Sequence, residues 1–159
     1  MADTERIESK LVAGRTRLLA SVEGLEGAEW DWLPGDGRWS VRLTLAHVGS
    51  AQRSHLEVAG RLVSGETLDM PEFELDAWNE AAVAERARWS VGQVLADLDA
   101  AQHETLAFLA DLDAEKLSIS GLHPALGEVT VGQVLRFIPI HDNMHRRDIL
   151  RLLAEMRGT

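Results

Sequence analysis

Cysteine is absent from these 159 residues. That excludes disulfides, a thiolate nucleophile belonging to the chain itself and any cysteine-ligated zinc site. Tyrosine is absent as well. No stretch of useful length alternates apolar and polar residues, so strands are not expected to dominate. Lysine occurs only at Lys10 and Lys116, which leaves nearly all positive charge to arginine. No apolar run approaches the ~18 residues of a membrane span. The start, Met1-Ala2-Asp3-Thr4-Glu5-Arg6, has neither the basic segment nor the apolar stretch of a signal peptide. A cytoplasmic protein is the expectation. The formal net charge is −10, whereas a nucleic-acid binder would present a basic face. The local basic cluster, Arg146, Arg147 and Arg151, falls in one helical segment and complements the dipole at its C-terminal end. Neither nucleic acid nor a membrane is an expected partner.

What is present is helical periodicity. Four long segments carry it: Thr4 to Val22, Val41 to Ser64, Val91 to Leu112 and Val131 to Met156. Their candidate core positions are Ile7, Leu11, Leu18 and Leu19 in the first segment, and Val41, Leu45, Val48, Leu56, Ala59 and Val63 in the second. Val94, Leu95, Leu98, Leu106 and Leu109 serve the third, and Val131, Val134, Leu135, Ile138 and Leu152 the fourth. A shorter helix is expected over Asp76 to Ala87. Gly24 to Trp39, Gly65 to Pro71 and Gly121 to Gly127 read as connections. The whole, residues 1–159, is expected to be one all-α domain, a four-helix bundle with an extra short helix.

Three of the starts use one phrase: Trp39-Ser40-Val41, Trp89-Ser90-Val91 and Val129-Thr130-Val131. In each, a hydroxyl side chain precedes the first helical residue and can accept from a free backbone N–H. Gln93 and Gln133 follow three residues after Ser90 and Thr130, the spacing of a capping box. Capping chemistry alone accounts for the likeness of the three.

Within the fourth segment, His141 and His145 are four residues apart and so share a helix face. They continue the apolar stripe, where core residues would be expected. Two histidines so placed are a common way to hold a transition metal. Pro139 just before them cannot donate to the carbonyl of Leu135. It either kinks the helix to aim His141 inward or is a tolerated distortion. A third ligand has to come from elsewhere. His47, His55, His103 and His123 are the candidates, and His47 is preferred because it lies inside a helix among Leu43, Ala46 and Val48.

Trp39-Ser-Val-Arg-Leu-Thr-Leu-Ala-His47 resembles the first motif of the DinB/YfiT-like superfamily, and His141-Asp-Asn-Met-His145-Arg-Arg-Asp-Ile149 resembles its second. The order and separation of the two motifs match, as does the helix pattern over nearly the whole chain. The resemblance implies an up-up-down-down four-helix bundle. It implies a divalent metal, zinc or nickel, on His47, His141 and His145, and a homodimer. It also implies a small-molecule substrate and, in some relatives, transferase or isomerase chemistry with a low-molecular-weight thiol. Ala77-Trp-Asn-Glu and the Trp89-Ser-Val start resemble the mycothiol-dependent branch.

Three neutral imidazoles would leave such a metal positively charged with an open position, suited to activating a water or a thiol. Asp148 and Asp142 are candidates to accept the second N–H of a ligand histidine, with solvated surface as the plainer reading of both. Arg146 and Arg147 are candidates to hold a substrate carboxylate, or else simply surface charge. Trp30 and Trp32 either cover one end of the bundle, line a pocket or join an interface. Besides an enzyme, the residues allow a non-catalytic metal-binding or stress-related interaction module, and a bundle whose histidines are merely packed.

Overall fold

The computed structural model describes residues 1–66 and 68–159. Thr67, within the Gly65 to Pro71 connection, lies outside the described residues. Four long helices form the bundle: α1 (Asp3–Ala20), α2 (Val41–Val63), α4 (Val91–Ala110) and α6 (Val131–Arg157). The short α3 (Leu75–Glu85) follows α2. The starts are where capping puts them. Ser40 accepts from the Leu43 N–H at 3.3 Å. Ser90 with Gln93, and Thr130 with Gln133, close reciprocal boxes at 2.8 and 3.1 Å. Each such cap is worth about 1 kcal/mol.

Helix directions follow from the two apolar clusters. Ile7 and Leu11 at the start of α1 pack with Val58 and Leu62 late in α2, Leu109 at the end of α4 and Val131 to Ile138 at the start of α6. Leu18 late in α1 packs with Val41 to Val48, Val94, Leu98 and Ile149 to Leu153. Thus α1 and α6 run one way, and α2 and α4 the other. In chain order the helices go up, down, down, up. A four-helix bundle is as expected, but the chain order differs from up-up-down-down: the parallel consecutive pair is α2 and α4, not α1 and α2.

Between the clusters runs a buried polar seam drawn from all four long helices. Arg15 donates to Asp142 Oδ2 at 3.1 Å, to the Leu98 carbonyl at 2.8 Å and to Gln52 Oε1. Gln52 in turn donates to Gln102 Oε1 at 3.0 Å and Thr105 Oγ1 at 2.9 Å. This seam accounts for the departures from the expected core in α2. α2 turns His47, Gln52 and His55 inward, so Val58 and Leu62 are buried while Leu56 and Val63 are only partly so. Leu19, one residue round from buried Leu18, is 37% exposed.

The Gly121 to Gly127 connection is more than a loop. Strand β1 (Ser120–His123) pairs antiparallel with β2 (Gly127–Thr130), with His123 opposite Gly127. β1 lies so close to α2 that a Cβ at Gly121 would collide with the Leu62 side chain. A 3-10 turn at Gly27–Asp31 and a short helix, α5 (Ala114–Ser118), were likewise not expected. Trp30 and Trp32 pack on the second apolar cluster, at the end of the bundle, and neither lines the large cavity described below.

Candidate metal centre

The start of α2 and the middle of α6 cross where His47 meets His141 and His145. The Nε2 atoms of His47 and His141 are 3.2 Å apart, and those of His141 and His145 are 3.1 Å apart. All three ligating nitrogens lie within 4.8 Å of one another. Two nitrogens each ~2.0–2.1 Å from a tetrahedral zinc stand about 3.3–3.4 Å apart, so the two spacings that His141 makes need only tenths of an ångström of adjustment. Three ring nitrogens this close cannot all be satisfied by one another, whereas a single cation can take a lone pair from each. The donor set therefore fits a transition-metal ion.

The surroundings keep these rings neutral. Burial, reinforced by His145 and His55, holds His47 down to about 3. Burial, reinforced by His145, His47 and His55, holds His141 to about 2. Burial also lowers His145, against the opposing pull of Asp148 and Asp142. Neutral imidazole is the form that ligates. The tautomer of His145 has a visible cause: its Nδ1 lies 3.3 Å from Asp148 Oδ2, which leaves Nε2 for the metal. Trp39, eight residues before His47 and preceding the cap, places its ring 5.0 Å from the imidazole. The Nδ1 of His47 is enclosed without a partner among the described residues.

These depressed values carry a linkage consequence. A histidine whose folded pKa lies below its unfolded value of 6.5 binds its proton more readily in the unfolded chain. Stability is then complete above that value and drains away as pH falls toward the folded values of about 3 and 2. The metal-free protein is expected to show a Tm that falls on acidification below about pH 6.5. A His47→Leu/His141→Leu double variant should flatten the profile. Equal slopes for the two proteins in thermal melts would contradict the assignment.

Three of the proposed accessory residues stand elsewhere. Asp142 is neither solvated surface nor the partner of a ligand histidine. It is 2% exposed and its carboxylate is taken by Arg15. The next residue after His141 points about 100° around the helix, into the seam. Arg146 and Arg147 line neither the large cavity beside the histidines nor a smaller one of about 360 Å³ behind Trp39. Arg146 is half-buried and Arg147 exposed, and of the arginine cluster only Arg151 lines the smaller cavity.

The large cavity encloses about 600 Å³. His47, His141 and His145 form part of one wall, with Trp39, Phe137 and Met144 beside them. Phe73, Leu75 and Trp78, from α3 and the segment before it, line it as well. Sequence reasoning passed over this apolar wall. Its residues come from segments distant in the chain, and only the expected Asp76 to Ala87 helix hinted at it. Among the described residues no helix is long and apolar enough to cross a membrane.

The chain resembles YfiT from Bacillus subtilis, described as a probable metal-dependent hydrolase with an unusual four-helix bundle topology. The TM-score is 0.78 at 20% identity, covering 98% of this chain and 87% of that one. An uncharacterised protein from Clostridium difficile 630 gives 0.77 at 14% identity over 93% and 94% of the two chains. TT2238, described as a four-helix bundle protein, gives 0.66 at 23% identity over 91% and 95%. At such identities the likeness establishes the fold. Among curated proteins no match was found. The sequence profile of the DinB superfamily, however, matches residues 10–149. That span takes in both histidine-bearing helices, and the chain belongs to the DinB superfamily.

Proposed function

We propose that this protein is a metal-dependent enzyme acting on a small, largely apolar molecule, of the thiol-transferase or isomerase type. The observation that carries the reading is the convergence of three Nε2 atoms on the wall of a cavity of about 600 Å³. That volume is within the ~300–1,000 Å³ usual for small-molecule sites. A divalent metal held there would supply positive charge and an open position at which a water or a low-molecular-weight thiol becomes a nucleophile near neutral pH.

The chain's own residues would do the rest. Burial keeps the three rings in the ligating form. Asp148 orients His145. Phe73, Trp78, Phe137 and Met144 would give the substrate body an apolar wall. Thiol transfer is favoured over hydrolysis of one molecule because the cavity extends well past the histidines, toward α3. It leaves room for a thiol and its acceptor together. Water attack, the chemistry suggested for the YfiT relative, is the alternative on the same residues.

Protein purified without a histidine tag is expected to carry about one equivalent of zinc or nickel. It should turn over an electrophile with mycothiol, bacillithiol or glutathione, and chelation should abolish that turnover. Elemental analysis and a thiol-consumption assay check both points. Metal-free protein with an unchanged Tm after addition of zinc or nickel would overturn the metal reading. Metal without thiol consumption would move the reading to hydrolysis or to a binding module.

A further inference from the structure

A second histidine pair lies beside the triad and takes no part in it. His123, at the end of β1, turns Nδ1 toward its own hairpin turn. There it accepts the backbone N–H of Ala125 at 3.0 Å and of Leu126 at 3.2 Å. A ring nitrogen that accepts carries no proton, so the proton of neutral His123 is on Nε2. That Nε2 lies 2.9 Å from Nδ1 of His55. With His123 donating, His55 Nδ1 accepts, and the proton of neutral His55 is on its own Nε2. The two rings are 8% and 5% exposed, and burial lowers the pKa of both, so both are neutral at neutral pH. A tight turn thus dictates, through two rings, where His55 carries its hydrogen.

The other end of His55 faces the cavity. The residue lines it together with the triad, and its ring centroid is 6.1 Å from that of His141 and 5.2 Å from that of Phe137. Among the described residues its Nε2 has no hydrogen-bond partner, and it is not one of the sealed orphan atoms. Around it the cavity wall is mainly apolar. Ser50 and Ser54 spend their hydroxyl hydrogens on the carbonyls of His47 and Ser50. His55 is therefore a fixed, unspent donor in an apolar setting next to the candidate metal centre.

We propose that the Nε2–H of His55 donates a hydrogen bond to an acceptor oxygen of the molecule that enters the cavity, and that His123 is the positioning residue holding it in that tautomer. The favoured ligand class is an apolar body bearing a carbonyl, carboxylate or similar oxygen next to the group that meets the triad. A molecule offering only N–H groups or hydrocarbon there would leave the donor unpaired, which is costly in an apolar site. The inference rests on reading the cavity as the substrate site, and its test separates the two.

Long-range 1H–15N spectra of the metal-free protein near neutral pH read the tautomers directly. Both histidines are expected to show a protonated Nε2 and an unprotonated Nδ1. In His123→Phe, His55 should lose its single tautomer. Titration of the zinc-loaded protein with benzohydroxamate then reads recognition. His55→Phe should weaken the probe about five- to tenfold, the weight of one neutral hydrogen bond. His55→Gln, whose amide can present an N–H near the same place, should recover most of the loss. Zinc affinity should stay within about twofold in all three variants, which a merely structural role of His55 would not predict. A proton on Nδ1 of His55 in the wild type, or wild-type probe affinity in His55→Phe, would overturn the proposal. If the wild type took up no zinc, the functional reading would fail, while the tautomer spectrum would still decide whether the donor exists.

Discussion

Arg15→Met is expected to remove about 3–5 kcal/mol of folding stability, or about 6–20 °C of Tm for a chain of this length. Arg15 is the single donor that answers Asp142, the Leu98 carbonyl and Gln52 at once. The side chains of the Arg15–Asp142 pair are 7% and 2% exposed. Asp142 Oδ1 already has no partner among the described residues. Burial raises the Asp142 pKa, and it is the Arg15 charge that opposes this. Without Arg15 the carboxylate is left either charged and alone or protonated at a cost. Removing both, as Arg15→Met/Asp142→Leu, should restore a large part of the loss, because a buried pair is worth little against apolar residues that fill the same space. Urea and thermal denaturation of the two variants test this. A single substitution costing no more than the few tenths of a kcal/mol of an exposed helix pair such as Arg61–Glu57 would show that the seam does not hold the bundle together.

His141→Ala is expected to weaken zinc binding by more than ~100-fold, beyond the ~10–100-fold typical of losing an outer partner. His141 is the ligand to remove because its Nε2 is the atom closest to both of the others. The two imidazoles left behind define no geometry. In the wild type, zinc at about 100 times its dissociation constant should add about 2.7 kcal/mol to stability, and a chelator should withdraw it. In His141→Ala neither addition nor withdrawal should move the Tm. His103→Ala is the control. That side chain is 74% exposed, and Nδ1 bonds the Asp99 carbonyl one turn back, so both responses should match the wild type. Equal responses in the two variants would reject the choice of ligands.

The parts of this molecule that were legible in its sequence are those written locally. Ser40, Ser90 and Thr130 announce helix starts because a cap and its N–H are three residues apart. His141 and His145 announce a shared face because one helical turn brings them together. His47 needed the motif around it, since periodicity alone could not prefer it decisively to His55. What escaped depends on partners far away in the chain. Asp142 reads as surface until Arg15, 127 residues earlier, is placed against it. His55 and His123 are 68 residues apart, and nothing local pairs them. The hairpin escaped for a different reason: strands of four residues are too short for alternation to register.

The polar seam has a consequence for registration as well as for strength. Apolar helix faces slide past one another with little discrimination, because one leucine resembles the next. Arg15, Gln52 and Asp142 meet at one level only, with apolar clusters above and below. A slip of one turn, about 5.4 Å, would push a guanidinium or a carboxylate into hydrocarbon. Asp142 is the neighbour of His141, and Gln52 lies between His47 and His55 on α2. The same pin that fixes α2 against α6 therefore sets His47 level with His141, and the accuracy of the metal centre is inherited from a contact that never touches it.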